Sequence, residues 1–522
     1  MRNVITCSLV LILLPLTAWS NGDTIQVTGG LIKGAADDGV RVYKGIPYAA
    51  PPVGDLRWRP PQPVEAWDGV RDASEFSADC MQAPYDESSF YYRPARPISE
   101  DCLCLNVWTA SEQREKLPVM VWIHGGALTR GSGAIATYNG VSLTRKGVVL
   151  VTINYRLGPF GYLAHPELSA ESDKGASGNS GVLDQVAALQ WIQENIEQFG
   201  GDPDRVTIFG ESAGSMSVCA LMATPLSKGL FHRAIGESGG FFSATPDLHD
   251  EKFGQKSAQA VGLAFGEALG AKTLAEMRNV SAESIVESFS KGAGQQFRTR
   301  PCVDGWVYPE EIRTIYAKGQ QHDVPVIVGS NANEMTSLTP PAFVPKTAEA
   351  LRSRVEGQYG DLTDEFFEIY PVTDDESAVK AYLDSGRDRT FSWAMRTWAR
   401  ATANVSSNAY LYQFTRVPPI PNSDYYGAFH AAEIAYAFDN LATSDRPHTK
   451  ADRQLAETMS SYWVNFAATG DPNGDGLPGW PAYESDTEPY MDLGDAIRAG
   501  HHLLQQENDF IQKVMDAQYG AP

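Results

Sequence analysis

The stretch that decides the fold is Arg205-Val-Thr-Ile-Phe-Gly-Glu-Ser-Ala-Gly-Ser-Met-Ser-Val-Cys-Ala-Leu-Met222. Residues 206–209 form a short apolar run rich in β-branched side chains, which is typical of a buried strand. Residues 213–222 are small and apolar with helical spacing. Between them stands Gly210-Glu211-Ser212-Ala213-Gly214, a G-x-S-x-G sequence at a strand-to-helix turn. This context predicts that Ser212 is a nucleophile on a strained turn, with the amides of the following helix favouring negative charge beside it.

A second G-x-S-x-G sequence, Gly236-Glu237-Ser238-Gly239-Gly240, also follows an apolar run. Residues 241–246 after it, Phe-Phe-Ser-Ala-Thr-Pro, do not start a helix. The nucleophile turn needs a helix directly after the serine. We therefore favour Ser212 as the nucleophile and interpret Ser238 as a turn serine or one packed behind the site.

Residues 1–20 have the pattern of an export signal. Arg2 supplies a positive start, residues 4–16 are apolar, and Ala18-Trp19-Ser20 is a small-x-small cleavage sequence. The apolar run is too short for a membrane span, and no later segment has the roughly 18 apolar residues that a span requires. We expect a secreted or periplasmic protein without a transmembrane anchor, with a signal peptide over 1–20 and a single domain over 21–522. An uncleaved signal anchor is the alternative.

The formal net charge of −22 disfavours two classes of partner. A surface this acidic repels nucleic acid and anionic membranes. Histidine and cysteine spacings typical of zinc sites are absent from the sequence. Asp471-Pro-Asn-Gly-Asp-Gly resembles the start of a calcium loop, but Ala482 stands where the bidentate glutamate belongs. We expect no nucleic-acid partner, no metal and no cofactor.

Cysteine usage fits export. Cys7 would leave with the signal, and the remaining cysteines are Cys80, Cys102, Cys104, Cys219 and Cys302. An oxidising compartment predicts some pairing, and the odd number leaves at least one free thiol.

Strand-like and helical segments alternate along the rest of the chain. The predicted strands are 105–109, 119–124, 148–154, 206–209, 234–237, 324–329 and 409–415. The predicted helices are 181–198, 213–222, 431–438 and 452–469, with further helical regions at 247–291 and 347–402. This alternation predicts an α/β fold with a mostly parallel sheet and functional residues at the carboxyl ends of its strands. The late helical regions would cap the site.

A serine hydroxyl needs a base to take its proton, and the base needs a carboxylate to orient it. On this architecture the three occur in the order serine, acid, histidine. Glu334 is the best acid because it ends a polar loop after the strand 324–329; Asp304 is the rival, but Asp-Gly is first a turn signal. His430 is the best base, since it precedes an apolar helix and follows Glu334. The less suitable histidines are His322, His448, His501 and His502.

The loop after the strand 119–124 is the candidate oxyanion hole. It reads His124-Gly125-Gly126-Ala127-Leu128, and its small residues would let backbone amides turn into the site. An ordinary Gly-Gly turn would be the better interpretation if the Ser212 motif were absent.

With these pieces in order, the chain resembles the type-B carboxylesterases, the α/β-hydrolase family that includes cholinesterases, para-nitrobenzyl esterases and fungal lipases. The matching motifs are Gly45-Ile-Pro-Tyr-Ala-Ala-Pro-Pro-Val-Gly54, Arg57-Trp-Arg-Pro-Pro61, Ser99-Glu-Asp-Cys-Leu-Cys-Leu-Asn106, Asn154-Tyr-Arg-Leu-Gly158, Gly178-Asn-Ser-Gly181 with Asp184-Gln185, Phe199-Gly-Gly-Asp-Pro203, Gly427-Ala-Phe-His430 with Glu433, and Gly470-Asp-Pro-Asn473 before Trp480-Pro481.

The resemblance implies an α/β-hydrolase fold with helical cap insertions and a Ser-Glu-His triad. Its catalytic residues would be Ser212, Glu334 and His430, and its oxyanion amides Gly126, Ala127 and Ala213. It implies a disulfide between Cys80 and Cys102, with Cys104, Cys219 and Cys302 left single or in a less certain pair. It also suggests substrate contacts by Glu211, Phe297 and Leu338.

The chain departs from the family pattern at two kinds of position. Ala127 stands where a third glycine is usual. The residues after Glu334 lack the aromatic rings that cholinesterases place there, and the segment between Cys80 and Cys102 lacks the tryptophan with which they bind a quaternary ammonium. The expected activity is hydrolysis of small-molecule carboxylic esters rather than choline esters. The alternatives are a lipase, a feruloyl or other aromatic-acid esterase, and a non-catalytic neuroligin-like binding module. The sequence leaves the oligomeric state open.

Overall fold

The computed structural model describes residues 24–111, 115–292, 297 and 299–522. Its strands are β1 Thr24–Val27, β2 Gly30–Lys33, β3 Ala35–Asp37, β4 Val40–Pro47, β5 Val70–Asp72, β6 Asp79–Cys80, β7 Ile98–Ser99, β8 Cys104–Thr109, β9 Leu117–Ile123, β10 Val149–Ile153, β11 Gly201–Glu211, β12 Arg233–Glu237, β13 Val326–Asn331, β14 Ala409–Phe414, β15 Pro489–Leu493 and β16 Ile497–His501. The predicted export signal, 1–20, lies outside the described residues.

The described strands form one large mixed sheet and two small ones. The large sheet has the order β16-β15-β14-β13-β12-β11-β9-β10-β8-β4-β3, and all neighbours from β15 to β10 are parallel. Antiparallel strands flank this parallel block at β8 and β16. The small sheets are β1-β2-β5 and β6-β7. The prediction of an α/β fold with a mostly parallel central sheet is confirmed.

Both faces of the sheet are buried because its strands alternate between two apolar clusters. In β9, Val119, Val121 and Ile123 belong to one cluster, and Met120 and Trp122 belong to the other. A parallel sheet needs helices on both faces to cover such strands. The buried side chains of 182–192 and 218–222 cover the first face, and those of 455–467 cover the second.

The described α-helices are α1 Val141–Arg145, α2 Gly158–Tyr162, α3 Pro166–Glu171, α4 Ser180–Asn195, α5 Ala213–Ala223, α6 Ala258–Ala268, α7 Leu274–Arg278, α8 Ala282–Lys291, α9 Ile312–Ala317, α10 Met335–Leu338, α11 Ala348–Tyr359, α12 Thr363–Ile369, α13 Asp375–Arg387, α14 Trp393–Ala403, α15 Ser423–Tyr426, α16 Ile434–Ala437, α17 Lys450–Thr469 and α18 Gln505–Tyr519. Helices α6 to α8 lie between β12 and β13, and α11 to α14 lie between β13 and β14. The predicted helical insertions therefore occur between the late strands. None of the described helices is long and apolar enough to cross a membrane.

Two helices have other bounds than the sequence predicts, and three elements were not predicted. The helix expected over 431–438 begins only at Ile434, because Ala431 has a left-handed φ of 67° that a helix cannot contain. The helix expected over 181–198 ends at Asn195 and tightens into a 3₁₀ turn, Ile196–Phe199, which stops at Gly200 with φ 83°. Strands β15 and β16 and helix α18 were not predicted from the sequence.

Candidate active site

Ser212 stands at the turn between β11 and α5, as the motif predicts. Its backbone has φ 56° and ψ −120°, and its amide donates to the Glu237 carbonyl at 2.8 Å. A side chain on Gly210 would put its Cβ 2.5 Å from the Ile123 carbonyl oxygen, and one on Gly214 would put it 2.0 Å from the same oxygen. The two glycines are therefore required because β9 passes close to the turn, whereas the left-handed φ belongs to the serine itself.

The loop after β9 packs directly against this turn. A Cβ on Gly125 would lie 2.6 Å from the Glu211 carbonyl oxygen and 3.2 Å from the Ser212 Cβ. Gly126 has φ 108° and Ala127 has φ 57°, so the loop is left-handed where it reaches the serine. Within the described part of the chain, the amides of Gly126, Ala127 and Ala213 donate no hydrogen bond. Three unused donors in this region are what an oxyanion would need.

His124 anchors the start of the loop as a neutral side chain. Its ring stacks on Tyr155 with centroids 4.6 Å apart, and the Tyr155 hydroxyl donates to the His124 carbonyl at 2.8 Å. Burial lowers the pKa of His124 to about 4, so its imidazole is neutral at neutral pH.

The structure brings His430 and Glu334 into direct contact. His430 Nδ1 lies 2.6 Å from Glu334 Oε2, and both side chains are buried. Glu334 Oε1 accepts from the Asn331 amide at 2.7 Å, which fixes the carboxylate at the end of β13. The loops that carry the two residues are also joined, since the Asn333 amide donates to the Ala428 carbonyl and the Ala428 amide donates to Asn333 Oδ1, each at 3.0 Å.

Glu211 occupies the other side of the imidazole. Its Oε1 lies 3.0 Å from His430 Nε2. The Ser212 hydroxyl forms no hydrogen bond with any residue that the structure describes. His430 Nε2, the ring nitrogen that would accept the proton of Ser212, therefore faces the carboxylate of Glu211.

Electrostatics couple these groups. Burial alone would lower the pKa of His430, but the negative charges of Glu211 and Glu334 outweigh it and the net shift is upward. Burial raises the pKa of Glu211, and the positive charge of His430 opposes that rise. Two further carboxyls lie buried nearby, and burial raises the pKa of Glu237 to about 8 and that of Glu433 well above its usual value.

Two contacts to His430 were missed by the sequence reasoning. The Tyr91 hydroxyl donates to the His430 carbonyl at 3.1 Å and lies 2.7 Å from Ser337 Oγ. The Phe391 ring packs on the imidazole with centroids 4.9 Å apart. Phe391 belongs to a π-helical turn, Asp388–Ser392, between α13 and α14. No sequence signal distinguished this turn from an uninterrupted helix.

The remaining predicted site residues are placed as follows. Phe297 is buried against Phe265 and Phe289, with centroids 5.2 and 6.0 Å apart, and it lines a cavity of about 530 Å³. Leu338 ends α10 and is 36% exposed. Their predicted substrate contacts stay predictions. Asp304, the rival acid, instead caps a turn by accepting from the amides of Trp306, Val307 and Tyr308.

Cys80 and Cys102 form a disulfide, as the family resemblance implies. The three remaining described cysteines, Cys104, Cys219 and Cys302, are free and buried.

Comparisons with known proteins identify the family of this chain. The model of the carboxylesterase family matches residues 21–511. The fumonisin B1 esterase of Sphingopyxis macrogoltabida is 38% identical, over 91% of this chain and 87% of that protein. The para-nitrobenzyl esterase of Bacillus subtilis is 37% identical, over 90% and 94%, and the human cocaine esterase is 35% identical, over 94% and 90%.

Solved structures give the same result. A para-nitrobenzyl esterase structure superposes with a TM-score of 0.80 at 35% identity, covering 94% of this chain and 99% of the other. A carboxylesterase of Geobacillus stearothermophilus superposes with a TM-score of 0.82 at 33% identity, covering 94% and 100%. The chain is thus an α/β-hydrolase that belongs to the carboxylesterase family, and it is a carboxylic ester hydrolase.

Proposed function

We propose that the protein is an exported serine carboxylesterase that hydrolyses small-molecule esters through an acyl-enzyme. Ser212 is the nucleophile, His430 the general base and Glu334 the acid that orients it. The amides of Gly126, Ala127 and Ala213 form the oxyanion hole. The observation that carries the proposal is the buried 2.6 Å contact between His430 and Glu334, formed beside the strained turn of Ser212.

In the first half of the cycle, His430 Nε2 takes the proton from Ser212 Oγ as that oxygen attacks the ester carbonyl carbon. The carbonyl π electrons move to the carbonyl oxygen, and the three amides donate to it. The protonated imidazole then gives its proton to the alcohol oxygen as the C–O bond breaks. The alcohol leaves and the acyl group stays on Ser212.

In the second half, water replaces the alcohol. His430 takes a proton from the water as its oxygen attacks the acyl carbon, and returns that proton to Ser212 Oγ when the acid leaves. Glu334 accepts a hydrogen bond from Nδ1–H, which stabilises the imidazolium in both halves. Because Glu211 lies 3.0 Å from Nε2, the ring must release this carboxylate before it accepts the serine proton.

The names of the relatives support ester hydrolysis but disagree on the substrate. They name fumonisin B1, para-nitrobenzyl and cocaine, so they agree on an esterase activity and not on the compound. Activity on simple nitrophenyl esters is therefore the first expectation. A sharp preference for long acyl chains with activation at an oil–water interface would point to a lipase instead.

The direct test compares Ser212→Ala with Ser238→Ala. Both serines have a left-handed φ, 56° and 58°, and both follow a strand of the parallel block. We expect Ser212→Ala to lower kcat on 4-nitrophenyl butyrate by about 10³-fold or more, and Ser238→Ala to retain turnover. Retained turnover in Ser212→Ala would contradict the proposal.

Export rests on the pattern of residues 1–20 and has its own test. Expression with the full leader should yield a mature protein that begins at Asn21 and is recovered outside the cytoplasm. Recovery of an intact Met1 terminus in a membrane fraction would favour the uncleaved anchor.

A further inference from the structure

Two arginines near the proposed oxyanion hole lack a carboxylate partner. Arg93 and Arg130 both lie over the Tyr85 ring, with their Cζ atoms 5.3 and 4.8 Å from its centroid. Neither forms an ion pair with any residue that the structure describes. Arg93 Nη1 is buried and has no hydrogen-bond partner among those residues. In a chain with a net charge of −22, two guanidinium groups gathered on one ring without a direct ion pair need an explanation.

The neighbouring acidic side chain does not neutralise them. Asp86 follows Tyr85 directly, but its Oδ1 accepts from the Ser88 amide at 2.8 Å and from the Ser88 hydroxyl at 2.5 Å. Two like charges brought together repel each other, and a buried donor left without a partner is costly. An anion bound by both guanidinium groups would relieve both penalties.

The arginines lie at the proposed active site. Arg130 donates its amide to the Gly126 carbonyl at 3.1 Å, and its Cγ would be 3.3 Å from a Cβ on Gly126. The next residue, Gly131, exchanges two hydrogen bonds of 2.8 Å with the Gln82 side chain. The loop of the proposed oxyanion hole and the disulfide-closed segment 80–102 are therefore joined at this place.

Arg93 reaches the same region from the segment 80–102. It is close enough to Glu211, the neighbour of Ser212, for its positive charge to counter part of the rise that burial imposes on the pKa of that carboxyl. Its charge also acts on His124, at the start of the loop of Gly126 and Ala127. The positive pair thus lies on the side of the site where the segment 80–102 meets the oxyanion loop.

We propose that Arg93 and Arg130 form a subsite for an anionic group of the substrate, so that the enzyme prefers esters that carry a second, ionised carboxylate. A guanidinium recognises a carboxylate through paired, charge-assisted hydrogen bonds, and its planar face remains free to stack on an aromatic ring. The Tyr85 ring packs against both groups, and although Arg93 also donates a hydrogen bond to the Tyr138 hydroxyl, its Nη1 remains without a partner among the described residues. This inference deepens the proposed function and rests on it.

The test uses two matched pairs of esters. The first pair, 4-nitrophenyl hydrogen adipate and 4-nitrophenyl hexanoate, places the charge on the acyl side. The second pair, 4-acetoxybenzoate and phenyl acetate, places it on the alcohol side. For each pair the readout is the ratio of kcat/KM for the charged ester to kcat/KM for the neutral one, after subtraction of uncatalysed hydrolysis.

The variants are Arg93→Gln and Arg130→Gln, with Arg130→Lys to retain the charge. Arg352→Gln is the matched control, since Arg352 also stacks on a ring, that of Phe367 at 4.4 Å, but belongs to α11. We expect the ratio to fall about tenfold or more in Arg93→Gln and Arg130→Gln for at least one pair, less in Arg130→Lys and not at all in Arg352→Gln. Added salt should reduce the ratio of the wild type.

A binding measurement guards against misfolded variants. Adipate should inhibit hydrolysis of 4-nitrophenyl hexanoate by the wild type more strongly than it inhibits either glutamine variant, with thermal unfolding checked for each. Ratios unchanged within about twofold in both variants for both pairs, together with equal inhibition by adipate, would overturn the subsite. Hydrolysis of neutral esters by the wild type would then still stand, so failure of the subsite differs from failure of the proposed function.

Discussion

Glu211 links the proposed nucleophile to the proposed base: it is the chain neighbour of the first and contacts the second. It precedes Ser212 in the chain, and its Oε1 lies 3.0 Å from His430 Nε2. Its negative charge favours the protonated imidazole, so the pKa of His430 rises despite burial. A protonated imidazole cannot accept the serine proton. The carboxylate therefore sets the pH above which the site becomes active.

Replacement of Glu211 by glutamine removes one of the two carboxylate charges that raise the pKa of His430, so the pKa should fall. The acid limb of the profile of kcat/KM against pH should move to lower pH by about one unit or more. Glu237→Gln is the control, because Glu237 is a buried carboxyl whose Oε1 accepts from Trp463 Nε1 at 2.8 Å rather than facing the imidazole. A shift to higher pH in Glu211→Gln, or an equal shift in the control, would contradict this role.

The backbone of Ala127, in the loop near Ser212, is strained. Its φ of 57° is left-handed, a conformation in which the close approach of Cβ to the backbone costs roughly 1–2 kcal/mol. Ala127→Gly should therefore stabilise the protein by about 1 kcal/mol and raise the midpoint of thermal unfolding. Ala187→Gly, inside α4, should have the opposite sign because glycine weakens a helix by about 1 kcal/mol. Calorimetry that finds Ala127→Gly less stable would show that the loop gains more from the methyl group than it loses.

Among the elements, the π-helical turn between α13 and α14 has the clearest link to the site. Arg387 bonds the buried Asp388 through Nε at 2.7 Å and Nη2 at 3.0 Å, and Nη1 donates to the Ala332 carbonyl at 3.0 Å. The Tyr370 hydroxyl also donates to Asp388 at 2.9 Å. These contacts fix an extra residue in the helix, and Phe391 in that turn reaches the His430 ring. π-turns of this kind are frequent at functional sites.

We expect Phe391→Leu to lower kcat about tenfold with little change in KM, because the imidazole loses the ring that packs against it. Phe231→Leu is matched to it: Phe231 is equally buried and packs on a histidine, His322 at 5.7 Å, outside the proposed site. Both variants should lose similar stability in thermal unfolding. Equal kcat in the two variants would mean that Phe391 acts only through packing.

Among the helices and strands, the sequence predicted those whose formation depends on local residue patterns. The strands of the parallel block were predictable from their apolar, β-branched runs, because they are buried on both faces. Strand β15 and the edge strand β16 were missed; β16, Ile497–His501, has no buried residue and is mixed in character. The π-turn was missed for another reason. Asp388–Ser392 reads as ordinary helix, and only the tertiary contacts of Arg387 and Asp388 select the wider turn.

At the scale of the whole molecule, the site depends on three distant parts of the chain meeting. The segment closed by the Cys80–Cys102 disulfide contributes Tyr91, whose hydroxyl holds the His430 carbonyl. Phe90 of the same segment packs on Tyr426 and Phe429, at 4.5 and 4.9 Å, in the loop before His430. We therefore expect the conformation of the segment 80–102 to determine how firmly His430 is positioned.

Removal of the disulfide should show this coupling. The double variant Cys80→Ala/Cys102→Ala should lose about 3 kcal/mol of stability and should also lose kcat below the unfolding temperature. Tyr91→Phe keeps the disulfide and removes the hydroxyl, so it should reproduce part of the kcat loss with a smaller stability loss. Full kcat in the folded double variant would show that the segment does not position His430.

The order of the motifs along the chain predicted which residues lie close together, but not the contacts between their side chains. The motif at Ser212, the polar loop at Glu334 and the loop at His430 each follow a strand of the parallel block, and the carboxyl ends of such strands converge. The contact of Glu211 with His430 Nε2 and the Arg93–Tyr85–Arg130 arrangement depend on side-chain packing between segments far apart in the chain. No spacing in the sequence encodes them.

In the proposed mechanism, Ser212 becomes nucleophilic because His430, held by Glu334, can take its proton. Labelling with a fluorophosphonate followed by peptide mapping tests it most directly, since the reagent modifies only a serine that has such a base. We predict one adduct, on the peptide that contains Ser212. It should be lost in Ser212→Ala, slowed by about 10³-fold or more in His430→Ala, and unchanged in Ser238→Ala. An adduct on Ser238, or labelling of Ser212 at the wild-type rate without the imidazole, would contradict the account.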